Sequence, residues 1–179
     1  MFDAEEFVEF CKSALALSDT QGSIAAELQR IVSNPGSISA PPPDDPNAWV
    51  LHRSESLSVL HTSYPRSFHT PAHDHGSWAI VSVYRGYEKN VLYERKEAEV
   101  EPIGQATIRA GEVVALEPTA IHDLATSPDE RTCSIHVYGG DLFSSDHSMW
   151  LPPSLIESPY DQQAFRLSSA ELTREARAV

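Results

Sequence analysis

The sequence predicts a mainly β domain, a sandwich or jelly-roll barrel, with helices on its N-terminal side. Three observations predict it. Helical periodicity is strong only in residues 1–34. A proline-rich stretch then breaks it. From Trp49 onward, short runs of strand type recur, several of them separated by Gly or Pro turns.

Each element has a local reason. Residues 3–17 predict a helix because Phe7, Cys11, Ala14 and Leu15 fall on one face, and Glu5 and Glu6 suit its positive start. Residues 20–33 predict a second, with Ile24, Leu28, Ile31 and Val32 as its stripe and Asn34-Pro35-Gly36 as its stop. Residues 35–47 hold Pro41-Pro42-Pro43, Pro46 and Asp44-Asp45, an extended linker that cannot join a sheet ladder. Three units result: a helical segment at 1–34 packed on the barrel, a linker at 35–47, and the barrel at 48–179.

Within the last unit, strands are predicted at 49–51, 57–61, 79–84, 90–93, 105–108, 112–116, 121–125 and 132–138. Arg85-Gly86, Pro102-Ile103-Gly104, Ala110-Gly111, Ser127-Pro128-Asp129 and Gly139-Gly140 supply turns. The acidic run 94–101 predicts a solvated hairpin edge. Residues 141–167 predict a covering loop, and 169–178 a short closing helix.

Composition narrows the function. The formal net charge is −13, from 13 Lys and Arg against 26 Asp and Glu. That surface repels phosphate backbones and anionic membranes, so neither nucleic acid nor membrane is an expected partner. No apolar run reaches the roughly 18–20 residues of a membrane span, and the acidic start lacks the basic region of a signal peptide. A cytoplasmic monomer or homodimer is expected. Two cysteines, Cys11 and Cys133, make no disulfide framework.

The chemistry concentrates in Pro71-Ala72-His73-Asp74-His75-Gly76. Two His two residues apart face one side of a strand, because side-chain direction alternates. They can offer two neutral nitrogens to one metal ion. His122, after Pro118, is a third candidate ligand, and three His leave coordination positions open for chemistry. Such a donor set accepts zinc, nickel, copper or manganese as readily as iron. Asp74, between the ligands, should point away from them. Trp78 reads as a core residue, and His52, His61, His69 and His147 as structural or exposed.

These residues resemble the cupin superfamily, whose fold is a double-stranded β-helix, or jelly-roll barrel. His73-x-His75 matches its first motif and Gly86 closes that motif. The motif's Glu falls at Ala79 or Ile80. Gly111, Pro118 and His122 loosely match the second motif. Three His without a carboxylate are similar to the cysteine dioxygenase branch of thiol dioxygenases. That resemblance implies Fe(II) on His73, His75 and His122, and conversion of a small thiol plus O2 to a sulfinic acid. Ser134-Ile135-His136-Val137-Tyr138 resembles the family's Ser-x-His-x-Tyr. There Ser134 would orient His136, and His136 would bond the hydroxyl of Tyr138, the group that reaches substrate or oxygen. No acid is expected to orient His136. Arg53 is placed where the family binds a substrate carboxylate, with Arg66 as the rival.

Two departures bear on the substrate. With Ala79 or Ile80 at the relevant position, no Cys–Tyr cross-link is expected, and Cys133 should face away from Tyr138. Leu51 replaces a family tyrosine. Gly76-Ser77-Trp78 is closer to bacterial relatives, some of which take 3-mercaptopropionate. The alternatives are another cupin enzyme acting on a diketone, phenolic acid or sugar acid, and a non-catalytic ligand-binding cupin.

Overall fold

Helix α1 (Ala4–Ala14) starts where Asp3 accepts a hydrogen bond from the Glu6 amide at 3.0 Å, with Glu5 and Glu6 in its first turn and Lys12 in its last. Its buried face is Phe7, Val8, Cys11 and Ala14, whereas Leu15 lies at the C-cap and stays exposed. Helix α2 (Thr20–Val32) is capped by Asp19 and buries the four residues its periodicity singles out: Ile24, Leu28, Ile31 and Val32. A 3-10 turn at Pro35–Ser37 ends it. The computed structural model describes residues 1–38, 41–43, 45, 49–144 and 146–178. Residues 39, 40, 44, 46 and 47 of the expected linker lie outside these.

Both helices pack on one face of a five-stranded antiparallel sheet. Its order is β1 (Val50–Arg53), β2 (Ser58–Tyr64), β10 (Thr132–Tyr138), β4 (Ala79–Arg85) and β7 (Val113–Leu116). Phe7, Cys11, Ile24 and Leu28 share a core with Leu57, Val59, Ile80, Ile135 and Val137. Every residue of β10 is buried, because the helices cover one of its faces and the barrel interior receives the other. Alternation then sorts the strand. Ile135 and Val137 meet the helices, while Ser134, His136 and Tyr138 turn inward.

The second sheet closes the barrel. It has seven strands, ordered β12 (Glu157–Pro159), β11 (Ser148–Trp150), β3 (Ala72–His73), β8 (Ile121–His122), β5 (Tyr87–Lys96) and β6 (Glu99–Arg109), with β9 (Ala125–Thr126) also paired to β5. The result is a jelly-roll barrel with N-terminal helices, the cupin architecture that the resemblance implies. The β4–β5 corner turns at Gly86, where φ is +71° and an added Cβ would lie 2.7 Å from Thr132 Oγ1, so only glycine fits. The acidic hairpin is where it was expected, exposed at the β5–β6 tip.

Five elements differ from expectation. Pro102-Ile103-Gly104, expected as a turn, lies within β6, where the register shifts opposite Leu92 and Tyr93. The run 121–125 splits into β8 and β9, because the Asp123 carboxylate takes the Val91 amide and the Tyr93 hydroxyl. Strand β3 ends at His73, so His75 lies just beyond it. The expected loop 141–167 contributes β11 and β12, which extend the second sheet. The closing helix is longer than expected. Helix α3 spans Gln162–Ala176, begun by Asp161, which accepts from the Ala164 amide at 2.7 Å. It lies along the cavity wall, tied by the His69 amide donating to Thr173 Oγ1 and by Arg177 donating to the Arg66 carbonyl. Among the described residues, no helix is long and apolar enough to cross a membrane.

Candidate metal centre

His73 and His122 are paired directly across the β3–β8 ladder, which sets their rings 4.7 Å apart between centroids. His75, two residues beyond the end of β3's pairing at His73, lies 5.1 Å from His73 and 5.0 Å from His122. One nitrogen from each ring lies within 4.8 Å of the others, and all three rings are buried. The three His expected to converge do so, although the strand covers only the first.

The outer nitrogens explain which ones face inward. His73 Nδ1 lies 3.1 Å from the Pro71 carbonyl, and His122 Nδ1 lies 2.7 Å from Asn90 Oδ1. Both neighbours can only accept, so both Nδ1 atoms carry the proton and both Nε2 atoms present lone pairs to the centre. Asn90 is itself oriented, its amide nitrogen donating to the Glu88 carbonyl at 3.3 Å. His75 Nε2 stands 3.4 Å from His122 Nε2. Burial pushes His73 down to about 4, and burial with the neighbouring imidazoles holds His75 and His122 well below the usual 6.5. Three neutral rings with lone pairs converging on one point are a donor set that fits a divalent transition metal.

No carboxylate joins this group among the described residues. The motif's Glu falls at Ala79 or Ile80, both fully buried, and Ala79 pairs with Tyr138 across the β4–β10 ladder. Cys133 is on the other side of β10, its sulfur 3.7 Å from Ser63 Oγ. Asp74 points away from the ligands, accepting from the Ser148 amide and from Arg95.

Beside the His cluster stands the Ser134–His136–Tyr138 row. Tyr138 packs edge-on to His75 at 4.9 Å, and its hydroxyl is 2.9 Å from His136 Nδ1. Burial holds that phenol well above its usual value, so it stays protonated. The other side of the row corrects the expectation that no acid orients His136. Glu88, 1% exposed, accepts from Ser134 Oγ at 2.6 Å and lies 3.0 Å from His136 Nε2. Thr62 completes the row, 2.7 Å from Ser134 Oγ.

The cluster opens into a cavity of about 830 Å³. Leu60, Val81 and Leu124 line its depth, and Phe165 of α3 stacks edge-on against His73 at 5.0 Å. Trp49 also lines it, with its indole donating to the Pro43 carbonyl. Arg53 is on this wall, but its fork already holds Asp141 at 2.7 and 2.9 Å and its charge lies over Phe143. Arg66 is exposed and does not line this cavity. Trp78 packs with the helices, as expected of a core residue.

Glu88, Asn90 and His147 escape sequence reading. Glu88 and Asn90 alternate after Gly86, and a strand begun at Tyr87 instead of Asn90 would have turned both inward. His147 stacks on Tyr160 at 4.3 Å in the cavity wall and has no sequence motif around it.

No family model matches the chain. Solved structures similar to it include the DMSP lyase DddQ from Ruegeria pomeroyi, at 20% identity over 51% of this chain and 42% of that one, with a TM-score of 0.40. A cupin superfamily protein from Desulfitobacterium hafniense matches at 11% identity, 51% and 74% coverage and a TM-score of 0.41. Oxalate decarboxylase from Bacillus subtilis matches at 14%, 52% and 23%, with 0.42. This chain thus aligns with less than half of the lyase's length.

Proposed function

We propose that the protein is a mononuclear non-haem iron enzyme that adds both atoms of O2 to the sulfur of a small thiol acid, giving a sulfinic acid. The observation that carries this reading is the Tyr138 hydroxyl, held by His136 beside three His that no carboxylate among the described residues joins. His73, His75 and His122 would hold the metal. Bound Fe(II) would supply the redox chemistry that unites O2 with sulfur.

The chain's own contribution is binding and orientation. Tyr138 keeps its proton and turns its oxygen to the cavity, where it meets the substrate. Arg53 would take the substrate's carboxylate in exchange for Asp141, fixing the acid at one end and the thiol near the His cluster. Leu60, Val81, Leu124 and Phe165 exclude water around the reacting groups. Thiol and O2 are then the two partners, and cysteine or 3-mercaptopropionate the first candidates.

The test loads the protein with Fe(II) and follows O2 uptake and sulfinate mass with each thiol. Uptake matched one to one by sulfinate is expected. Iron-loaded protein that consumes no O2 with any small thiol overturns the proposal. The cavity volume favours one second reading, a larger non-thiol acid as substrate, which the same O2 assay detects with phenolic and sugar acids.

A further inference from the structure

We propose that Glu88 is a positioning residue that sets the polarity of the Tyr138 hydroxyl through His136. The proposal rests on Tyr138 being the group that faces substrate. Its basis is a count of donors and acceptors around one buried imidazole. Ser134 has one hydroxyl proton, and its shortest contact, 2.6 Å, is to Glu88 Oε1. Ser134 Oγ is then an acceptor toward everything else, including Thr62. Around His136 Nε2 stand Glu88 Oε1 and Ser134 Oγ, each at 3.0 Å. A carboxylate only accepts, and a hydroxyl whose proton is committed also only accepts. His136 therefore carries its proton on Nε2.

In the neutral ring the other nitrogen then accepts. The Tyr138 hydroxyl, 2.9 Å from Nδ1, donates to it, and the phenol's lone pairs are left for the cavity. The group that meets Tyr138 is thereby a donor, such as the S–H of an incoming thiol. Without Glu88 the Ser134 hydroxyl is free to turn toward Nε2, the ring proton moves to Nδ1, and Tyr138 points its own O–H into the cavity. One acid on β5 decides which of two opposite polarities the substrate encounters. The same strand, two residues on, orients His122 through Asn90.

The experiment is long-range proton–nitrogen NMR on metal-free protein carrying 15N-histidine, at about pH 8. His136→Gln identifies the signals. In the unaltered protein the proton is expected on Nε2 of His136, and a proton on Nδ1 overturns the proposal with no variant required. In Glu88→Leu the proton is expected to move to Nδ1, and an unchanged ring in a folded Glu88→Leu protein overturns it as well. In the iron-loaded enzyme, Glu88→Leu is expected to lower kcat roughly 10- to 100-fold with KM little changed. If the unaltered enzyme turns over no thiol, the proposed function fails, while the ring nitrogen still decides the role of Glu88.

Discussion

Asn90 Oδ1 lies 2.7 Å from His122 Nδ1, a side chain of β5 fixing the tautomer of a ring on β8. Asn90→Ala removes the acceptor and lets His122 rotate or change tautomer. Affinity for zinc(II) is expected to fall roughly 10- to 100-fold with the fold intact. Competition with a coloured chelator measures this. Unchanged affinity would remove Asn90 from the centre.

Arg53 and Asp141 make an opposed pair of predictions. Asp141 holds the guanidinium that the proposed substrate would need, and Arg53 in turn holds the Asp141 carboxyl below the usual carboxylate range. Asp141→Asn is expected to lower KM for a thiol acid, because the fork is released. Arg53→Ala is expected to raise it roughly 10-fold or more, the worth of a charge-assisted hydrogen bond. Steady-state kinetics on both variants checks the direction. Stability should change by less than about 1 kcal/mol, since the pair is partly exposed.

Stability should depend on pH through His61. Burial pushes this ring down to about 4, against 6.5 in the unfolded chain, and its Nε2 is 2.8 Å from the Tyr84 hydroxyl. Between those values the unfolded chain binds the extra proton, so stability rises with pH. It is complete above about 6.5 and falls as the pH drops toward 4, by roughly 2 kcal/mol at pH 5 from this ring alone. His73, also pushed down to about 4, adds in the same direction in the metal-free protein. Urea unfolding at pH 7.5 and pH 5 measures the loss, and His61→Phe should reduce it.

Gly139 tests the packing behind the site. A Cβ there would run into the Trp78 indole, so Gly139→Ala is expected to cost about 1–3 kcal/mol. At Gly104, in β6, an added Cβ meets nothing within 4 Å, and Gly104→Ala should be neutral or slightly stabilising. Thermal melting of the two variants should separate clearly. Equal melting points would show that the indole yields.

The three converging His were legible because their signal is chemical and local. Two His with one residue between them, and a third behind a proline, stand out wherever the strand ends. The row on β10 was legible through its resemblance to Ser-x-His-x-Tyr, three polar side chains alternating along one strand. Glu88 was not, because its meaning depends on which way β5 faces, and that is set by pairing with β6, β8 and β9 across the barrel. The full length of α3 was hidden for a different reason. Its buried face is Ser169 and Thr173, so it carries no apolar stripe and is anchored by hydrogen bonds instead. The strands β11 and β12 exist as sheet extensions, and nothing in their own residues announces the partner strand.

Of the three tryptophans, Trp49 alone lines the cavity, with its ring edge-on to Tyr64 at 5.3 Å, while Trp78 and Trp150 are packed elsewhere. The molecule therefore carries its own optical reporter. A compound entering the barrel changes the surroundings of one indole against two constant ones, so intrinsic fluorescence can rank ligands with no label and no turnover.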